Sequence, residues 1–245
     1  MAISLDNITK GGSSRAPIMV IHGTPGIGKS TFAACAPDPI FLRTEDGLGD
    51  LQVATFPELE SYEQIIEALG ALFDTDEFKT VVIDSLSALE PLIWDKVARD
   101  HGKNNLEDIG FGKGYIYAMD YWREIMAALK ELAKRGIMPV LISHTDIARF
   151  DSPDTDPYDR YQIKLHKRAF QYLYEQSDII AFASYPVHVK KKDSDATKGR
   201  GVQKGGRELT LVEKPAVIAK NRYSMPETVA LDWEEFARHL PTNRK

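Results

Sequence analysis

The stretch VIHGTPGIGKSTFAA, Val20–Ala34, decides the reading of this chain. Gly23, Pro25, Gly26 and Gly28 fall within six residues, and Lys29-Ser30-Thr31 follows at once. Glycine and proline break regular structure, so a segment meant to fill a core avoids them. The run Ala16–His22 just before is short and apolar and reads as a buried strand. A helix is expected to start near Lys29 and to end before Pro37. A loop held between a strand and a helix, and built from residues that let main chain come close, is a loop wrapped around something.

The spacing is G-x-x-x-x-G-K-[ST], carried by Gly23, Gly28, Lys29 and Ser30. Glycines allow backbone N–H groups to turn inward around a phosphate, and the first turn of the helix adds its positive end. The expected cradle is Gly23, Thr24, Pro25, Gly26, Ile27, Gly28, Lys29, Ser30 and Thr31. Within it the Lys29 ammonium suits β- and γ-phosphates, and the Ser30 hydroxyl suits Mg²⁺. ATP and Mg²⁺ are therefore the expected ligands.

Working outward, the chain alternates buried strands with helical patterns. Pro39–Arg43, Lys79–Asp84 and Ile137–His144 read as strands. Ser61–Phe73, Leu86–Arg99 and Ala118–Arg135 read as helices, the first opened by a Ser-x-x-Gln cap. In the last of these, Ala118, Trp122, Ile125, Leu129 and Leu132 share one face, and Gly136 is the expected stop. Such alternation predicts an α/β fold with a mostly parallel central sheet covered by helices on both faces. After His144 the texture changes. Asp146–Tyr161, rich in Asp and Pro, reads as a long loop, and its acids lack the spacing of a calcium loop. A short helix is expected over His166–Gln176. Extended segments around Asp178–Lys192 and Arg207–Tyr223 then predict a C-terminal antiparallel β extension. Asp232-x-x-Glu235 caps a final short helix. Lys191–Arg207, polar and glycine-rich, reads as a mobile basic hairpin tip.

The totals narrow the function. The chain has 245 residues and a net charge of −5, so it does not coat nucleic acid as a whole, and any such site is a local patch. Its one cysteine, Cys35, lies in an apolar run and reads as core; it permits no intrachain disulfide, as suits a reducing cytoplasm. No apolar run approaches the roughly 20 residues of a membrane span, and the first fifteen residues lack the apolar stretch of a signal peptide.

Ligands of open α/β sheets sit at the carboxyl ends of the strands. There the sequence places Asp84, either a metal-supporting carboxylate or a helix cap. Glu45, just past Arg43, is either a residue that orients attacking water or a solvated loop acid. His144 is either a γ-phosphate sensor or a surface histidine.

These residues carry a resemblance. VVIDSLSALEP (Val81–Pro91) closely resembles the second nucleotide motif of the RecA recombinases. IFLRTEDGLGDL (Ile40–Leu51) is similar to the segment that carries their catalytic glutamate, and Glu45 falls on it. LISH (Leu141–His144) stands where RecA-like proteins place a polar phosphate sensor, and AKNRY (Ala219–Tyr223) resembles their late Lys-Asn-Lys/Arg motif. The resemblance covers Pro17 to about Trp233, without large flanking domains, and is closest to the core-only RecA-like ATPases of bacteriophages. It implies a single ATPase domain over 17–245 and an N-terminal arm, 1–16, suited to subunit docking. It also implies Lys220 and Arg222 as cations lent to a neighbouring subunit's ATP, a homo-oligomeric ring or filament, and action on single-stranded DNA in annealing or recombination beside a single-strand-binding protein.

The DNA-contacting loops implied are His101–Tyr115 and Thr145–Arg168. Asp146, Asp151, Asp154, Asp156 and Asp159 in the second would repel phosphate. Tyr161, Lys164, Lys167 and Arg168 offer a stacking ring and cations instead. The tip cations Lys190, Lys191, Lys192, Lys198, Arg200, Lys204 and Arg207 are either a second DNA contact or a solvated loop. A hexameric helicase-type motor, a small-molecule kinase and a nucleotide-gated DNA-binding protein are the alternatives.

Overall fold

The computed structural model describes residues 15–153, 155–190, 200–203 and 206–241. Most of the predicted N-terminal arm, and 191–199 and 204–205 of the predicted basic tip, lie outside the described residues.

Strands β1 (Met19–Gly23), β2 (Pro39–Arg43), β3 (Ala54–Thr55), β4 (Thr80–Asp84), β5 (Met138–Phe150) and β7 (Ile179–Ser184) form the parallel part of one sheet. Its spatial order is β3-β2-β4-β5-β1-β7, extended by the antiparallel β10 (Glu208–Thr210) and β12 (Thr228–Ala230). β11 (Lys220–Asn221) pairs with the start of β7, and β6 (Tyr158–Ile163) pairs with the far half of β5. β8 (Val187–Lys190) and β9 (Arg200–Gln203) form a separate hairpin.

Side chains of a strand alternate between faces, and here both faces are buried. Ile18, Val20, Ile40, Leu42, Val81, Ile83 and Leu141 enter one core; Met19, Ile21, Phe41, Val82, Val140 and Ile142 enter the other. This is why these strands read as continuous apolar runs. The first face is covered by α2 (Tyr62–Ala71), α3 (Leu86–Asp100), α4 (Lys113–Lys134) and α5 (Lys167–Gln176). The second is covered by α1 (Lys29–Ala34) and α6 (Trp233–Ala237), where Phe32 packs 5.1 Å from Trp233 and 5.5 Å from Phe236, centroid to centroid. The predicted caps are present. Ser61 Oγ accepts from the Gln64 N–H at 3.3 Å, and Asp232 Oδ1 accepts from the Glu235 N–H at 2.9 Å.

The predicted mostly parallel sheet with flanking helices and antiparallel C-terminal strands is the observed fold. Three local expectations are corrected. The supposed loop Asp146–Tyr161 is a β-hairpin: β5 runs on to Phe150 and pairs antiparallel with β6, Thr145 facing Ile163 and Phe150 facing Tyr158. Few of its outer residues are buried, so no apolar alternation marked it as strand. Helix α4 begins five residues before Ala118, where the left-handed Gly112 sets its first turn. Cys35 is exposed, because α1 ends at Ala34 and the following turn carries the thiol outward.

Candidate nucleotide site

Strand register brings the candidate residues to one edge. Gly23 at the end of β1 lies beside His144 of β5, and Asp84 at the end of β4 lies beside Ile142 of β5 and Arg43 of β2. Gly26 and Gly28 take φ of 75° and 103°, a region in which side chains are strained. Gly23 is required for a different reason: a Cβ there would sit 2.5 Å from the Ala183 carbonyl oxygen of β7.

Lys29 is buried, and its Nζ donates to the carbonyls of Gly23 (2.8 Å) and Thr24 (3.1 Å). The ammonium thus sits inside the loop it closes. Burial lowers its pKa from the ordinary lysine value, while the nearby carboxylates of Asp84 and Glu45 act against that shift. Ser30 Oγ donates to Asp84 Oδ2 at 2.6 Å. Burial pushes the Asp84 carboxyl up; the Ser30 hydrogen bond opposes this and the Glu45 charge adds to it. The helix-cap alternative for Asp84 falls away, because Ser85 is the N-cap of α3, its side chain accepting from the Ala88 N–H at 3.3 Å.

Glu45 is set by its neighbour. Thr44 Oγ1 donates to the Ser85 carbonyl at 2.7 Å and accepts the Ser85 N–H at 2.9 Å, which ties the end of β2 to the end of β4. His144 Nε2 lies 3.3 and 3.2 Å from the two Glu45 carboxylate oxygens. The other ring nitrogen, Nδ1, is buried and has no partner among the described residues. The His144 N–H donates to Ser87 Oγ (3.1 Å), which in turn donates to the Lys164 carbonyl (3.1 Å), linking the site to the root of the β5–β6 hairpin. Glycine loop, Lys29, Ser30, Glu45, Asp84 and His144 line one cavity of about 570 Å³. This volume lies within the range of small-molecule sites. The hydroxyl of Ser30 and the carboxylate of Asp84, in mutual contact, are hard oxygen donors of the kind Mg²⁺ takes.

The remaining candidates lie elsewhere. Lys220 and Arg222 stand at the opposite end of the sheet, where Lys220 faces Ile180 near the start of β7. Lys220 Nζ donates to the Tyr174 carbonyl at 2.6 Å, and Arg222 donates to Asp178 (3.0 Å) and to the Glu175 carbonyl (2.8 Å). Tyr161 is partly exposed on β6 and stacks on Phe182; Lys164, Lys167 and Arg168 are exposed around the start of α5. Lys190 and Arg200 face each other in the β8–β9 pairing, and Lys191, Lys192, Lys198 and Lys204 lie outside the described residues. Arg207 is not part of that hairpin at all. Its Nη1 donates to the Ile27 carbonyl of the glycine loop at 3.0 Å. Sequence reading missed this contact, the Thr44 strut, Ser87 and the buried His22, which bridges Thr145 Oγ1 and the Ile218 carbonyl at 2.9 Å each. Of these only Thr44, adjoining Glu45, had a local signal.

Among curated proteins none matches the sequence. Among solved structures, the RadB recombinase crystal structure aligns over 80% of this chain and 81% of that one, at 15% identity and a TM-score of 0.42. A family model described as an AAA domain matches residues 15–223, a span that holds the glycine loop, Glu45, Asp84, His144 and the Lys220–Arg222 segment. The chain belongs to that AAA domain family.

Proposed function

We propose that this protein is an Mg²⁺-dependent ATPase that assembles with copies of itself and acts on single-stranded DNA, as a recombinase or strand-annealing protein of the core-only phage type. The observation that carries the reading is the convergence of Lys29, Ser30, Asp84, Glu45 and His144 on one cavity at the carboxyl edge of the sheet. The loop amides and Lys29 bind the phosphates of ATP. Lys29 is held by two loop carbonyls, which leaves it poised to exchange them for phosphate oxygens. Ser30 and Asp84 would hold Mg²⁺, which supplies charge neutralisation on the phosphates when bound. Glu45 accepts a hydrogen bond from the attacking water and orients it. His144, bonded to Glu45 and with Nδ1 unpartnered, reads the presence of the outer phosphate and relays it through Ser87 to the hairpin root.

The placement of two cations supports assembly. Lys220 and Arg222 lie at the wrong end of β7 to reach the glycine loop of their own chain. If they act on ATP, they act on a neighbour's. The DNA surface is favoured by Phe111, which is fully exposed between two left-handed glycines, Gly110 and Gly112, in the first implied loop. A ring offered to solvent in this way suits stacking on an unpaired base.

The test is phosphate release with and without single-stranded DNA across a salt series. Stimulation by the strand, falling steeply with salt, is expected. Lys29→Ala should abolish Mg-ATP binding; tight binding retained in that variant would remove the phosphate-loop assignment. Hydrolysis indifferent to DNA would remove the DNA reading and leave the ATPase.

A further inference from the structure

Arg207 ends the segment after β9 and leads into β10, 180 residues from Ile27, yet its guanidinium lies against the glycine loop. Its backbone is fixed there by β12, because the Leu231 N–H donates to the Arg207 carbonyl at 2.8 Å. Two features of the loop accommodate it. Gly28 has no side chain, and a Cβ at that position would fall 2.2 Å from Arg207 Nη1. Ile27 is almost wholly buried in the second core, which anchors the peptide that Arg207 grips.

A trans peptide is planar, so its C=O and the N–H that follows point in opposite directions. The Ile27 carbonyl and the Gly28 N–H belong to one such peptide, and Gly28 lines the nucleotide cavity. A cation bonded to the carbonyl therefore fixes the plane and turns the amide hydrogen to the other side. It also withdraws electron density from the peptide, which makes that N–H a stronger donor. We infer that Arg207 is a positioning residue of the phosphate loop: from outside the cavity, it holds the Ile27–Gly28 peptide in the orientation that offers the Gly28 N–H to a bound phosphate. Its role differs from that of Lys29, which approaches phosphate directly, and from the DNA contact expected of the basic tip.

The inference rests on the nucleotide reading, and the experiment separates the two. Mg-ATP is titrated by calorimetry into the full chain and into R207M, R207A and R207K. The melting midpoint of each is recorded without ligand. R207M keeps an apolar stem over the loop and removes the donor; its Kd for Mg-ATP should rise about tenfold, with the ligand-free midpoint unchanged. R207K can still donate to the carbonyl and should recover most of the affinity. If R207A does not fold, R207M and R207K decide alone. An R207M chain that binds Mg-ATP like the unaltered protein overturns the assignment of Arg207 while the nucleotide reading stands. A midpoint that falls in R207M in step with affinity, without rescue in R207K, also overturns it, since Arg207 would then be a packing residue. An unaltered chain that takes up no Mg-ATP removes the nucleotide reading and this inference together.

Discussion

Two aspartates among the described residues lie buried in the sheet region, and they are treated in opposite ways. Asp178, at the amino end of β7, is 3% exposed and well supplied with donors. It accepts from the Ile18 N–H at 2.9 Å, from two nitrogens of Arg15 at 3.0 and 2.7 Å, and from Arg222 at 3.0 Å. Asp84, at the carboxyl end of β4, is 5% exposed and among the described residues receives a single side-chain hydrogen bond, from Ser30. It faces a cavity rather than arginines, and burial pushes its carboxyl up. A buried charge costs several kcal/mol unless it is paired. At one end of the sheet the protein has met that cost with its own cations. At the other it has left an incomplete shell, and an incomplete shell is what a metal and a triphosphate can fill. The contrast distinguishes a carboxylate satisfied within the fold from one left open to a cavity.

The largest expected effect tests the closed end. Asp178→Ala leaves the buried Ile18 N–H without its acceptor and removes the carboxylate that Arg15 and Arg222 share, and should lower unfolding free energy by about 3 kcal/mol. Urea unfolding measures it; a change near zero would mean that the Asp178 shell is not structural. Next, Asp84→Asn should reduce hydrolysis on the order of 100-fold while leaving the unfolding midpoint unchanged or higher. The sign follows from the raised carboxyl: ionising Asp84 in the fold is a burden that asparagine does not carry. A large loss of stability in Asp84→Asn would make the two aspartates alike and break the comparison.

The smallest effect concerns a third buried acid, intermediate between them. Among the described residues Glu90 of α3 accepts only the His166 N–H, at 3.1 and 2.9 Å, and burial raises its carboxyl to about 7. Its contribution to stability is complete below the unfolded value of 4.5 and is lost as pH rises through 7. His22 runs the other way, because burial lowers it to about 4, so its contribution is present above 6.5 and is lost on acidification. Between pH 5 and 7 the two slopes oppose each other. Glu90→Gln should expose the His22 slope, so that stability drops by about 2 kcal/mol from pH 7 to pH 5. Urea midpoints at the two pH values read this, and a variant profile parallel to that of the unaltered chain would count against the pairing of slopes.

What the sequence disclosed follows how local each feature is. The glycine loop, Lys29 and Ser30 sit in consecutive positions whose residue types have few other uses. Asp84 was legible because a buried strand seldom ends in an acid without reason. The β5–β6 hairpin was hidden because its outer half buries little, so composition outweighed periodicity. Cys35 was misread because apolar neighbours say nothing about where a short helix stops. Arg207 on the Ile27 carbonyl depends on strand pairing far along the chain, which no local pattern records. Asp178 was likewise invisible as an anchor, since its partners come from two stretches far from it in the chain, Arg15–Ile18 and Arg222.

Helix α1 has only six residues, too few to persist as a helix by themselves in water. It is held down by Trp233 and Phe236, which grip Phe32 from roughly 200 residues downstream. During synthesis the ribosome therefore releases the glycine loop and α1 long before the residues that clasp them, so this edge of the sheet closes late however early its strands emerge.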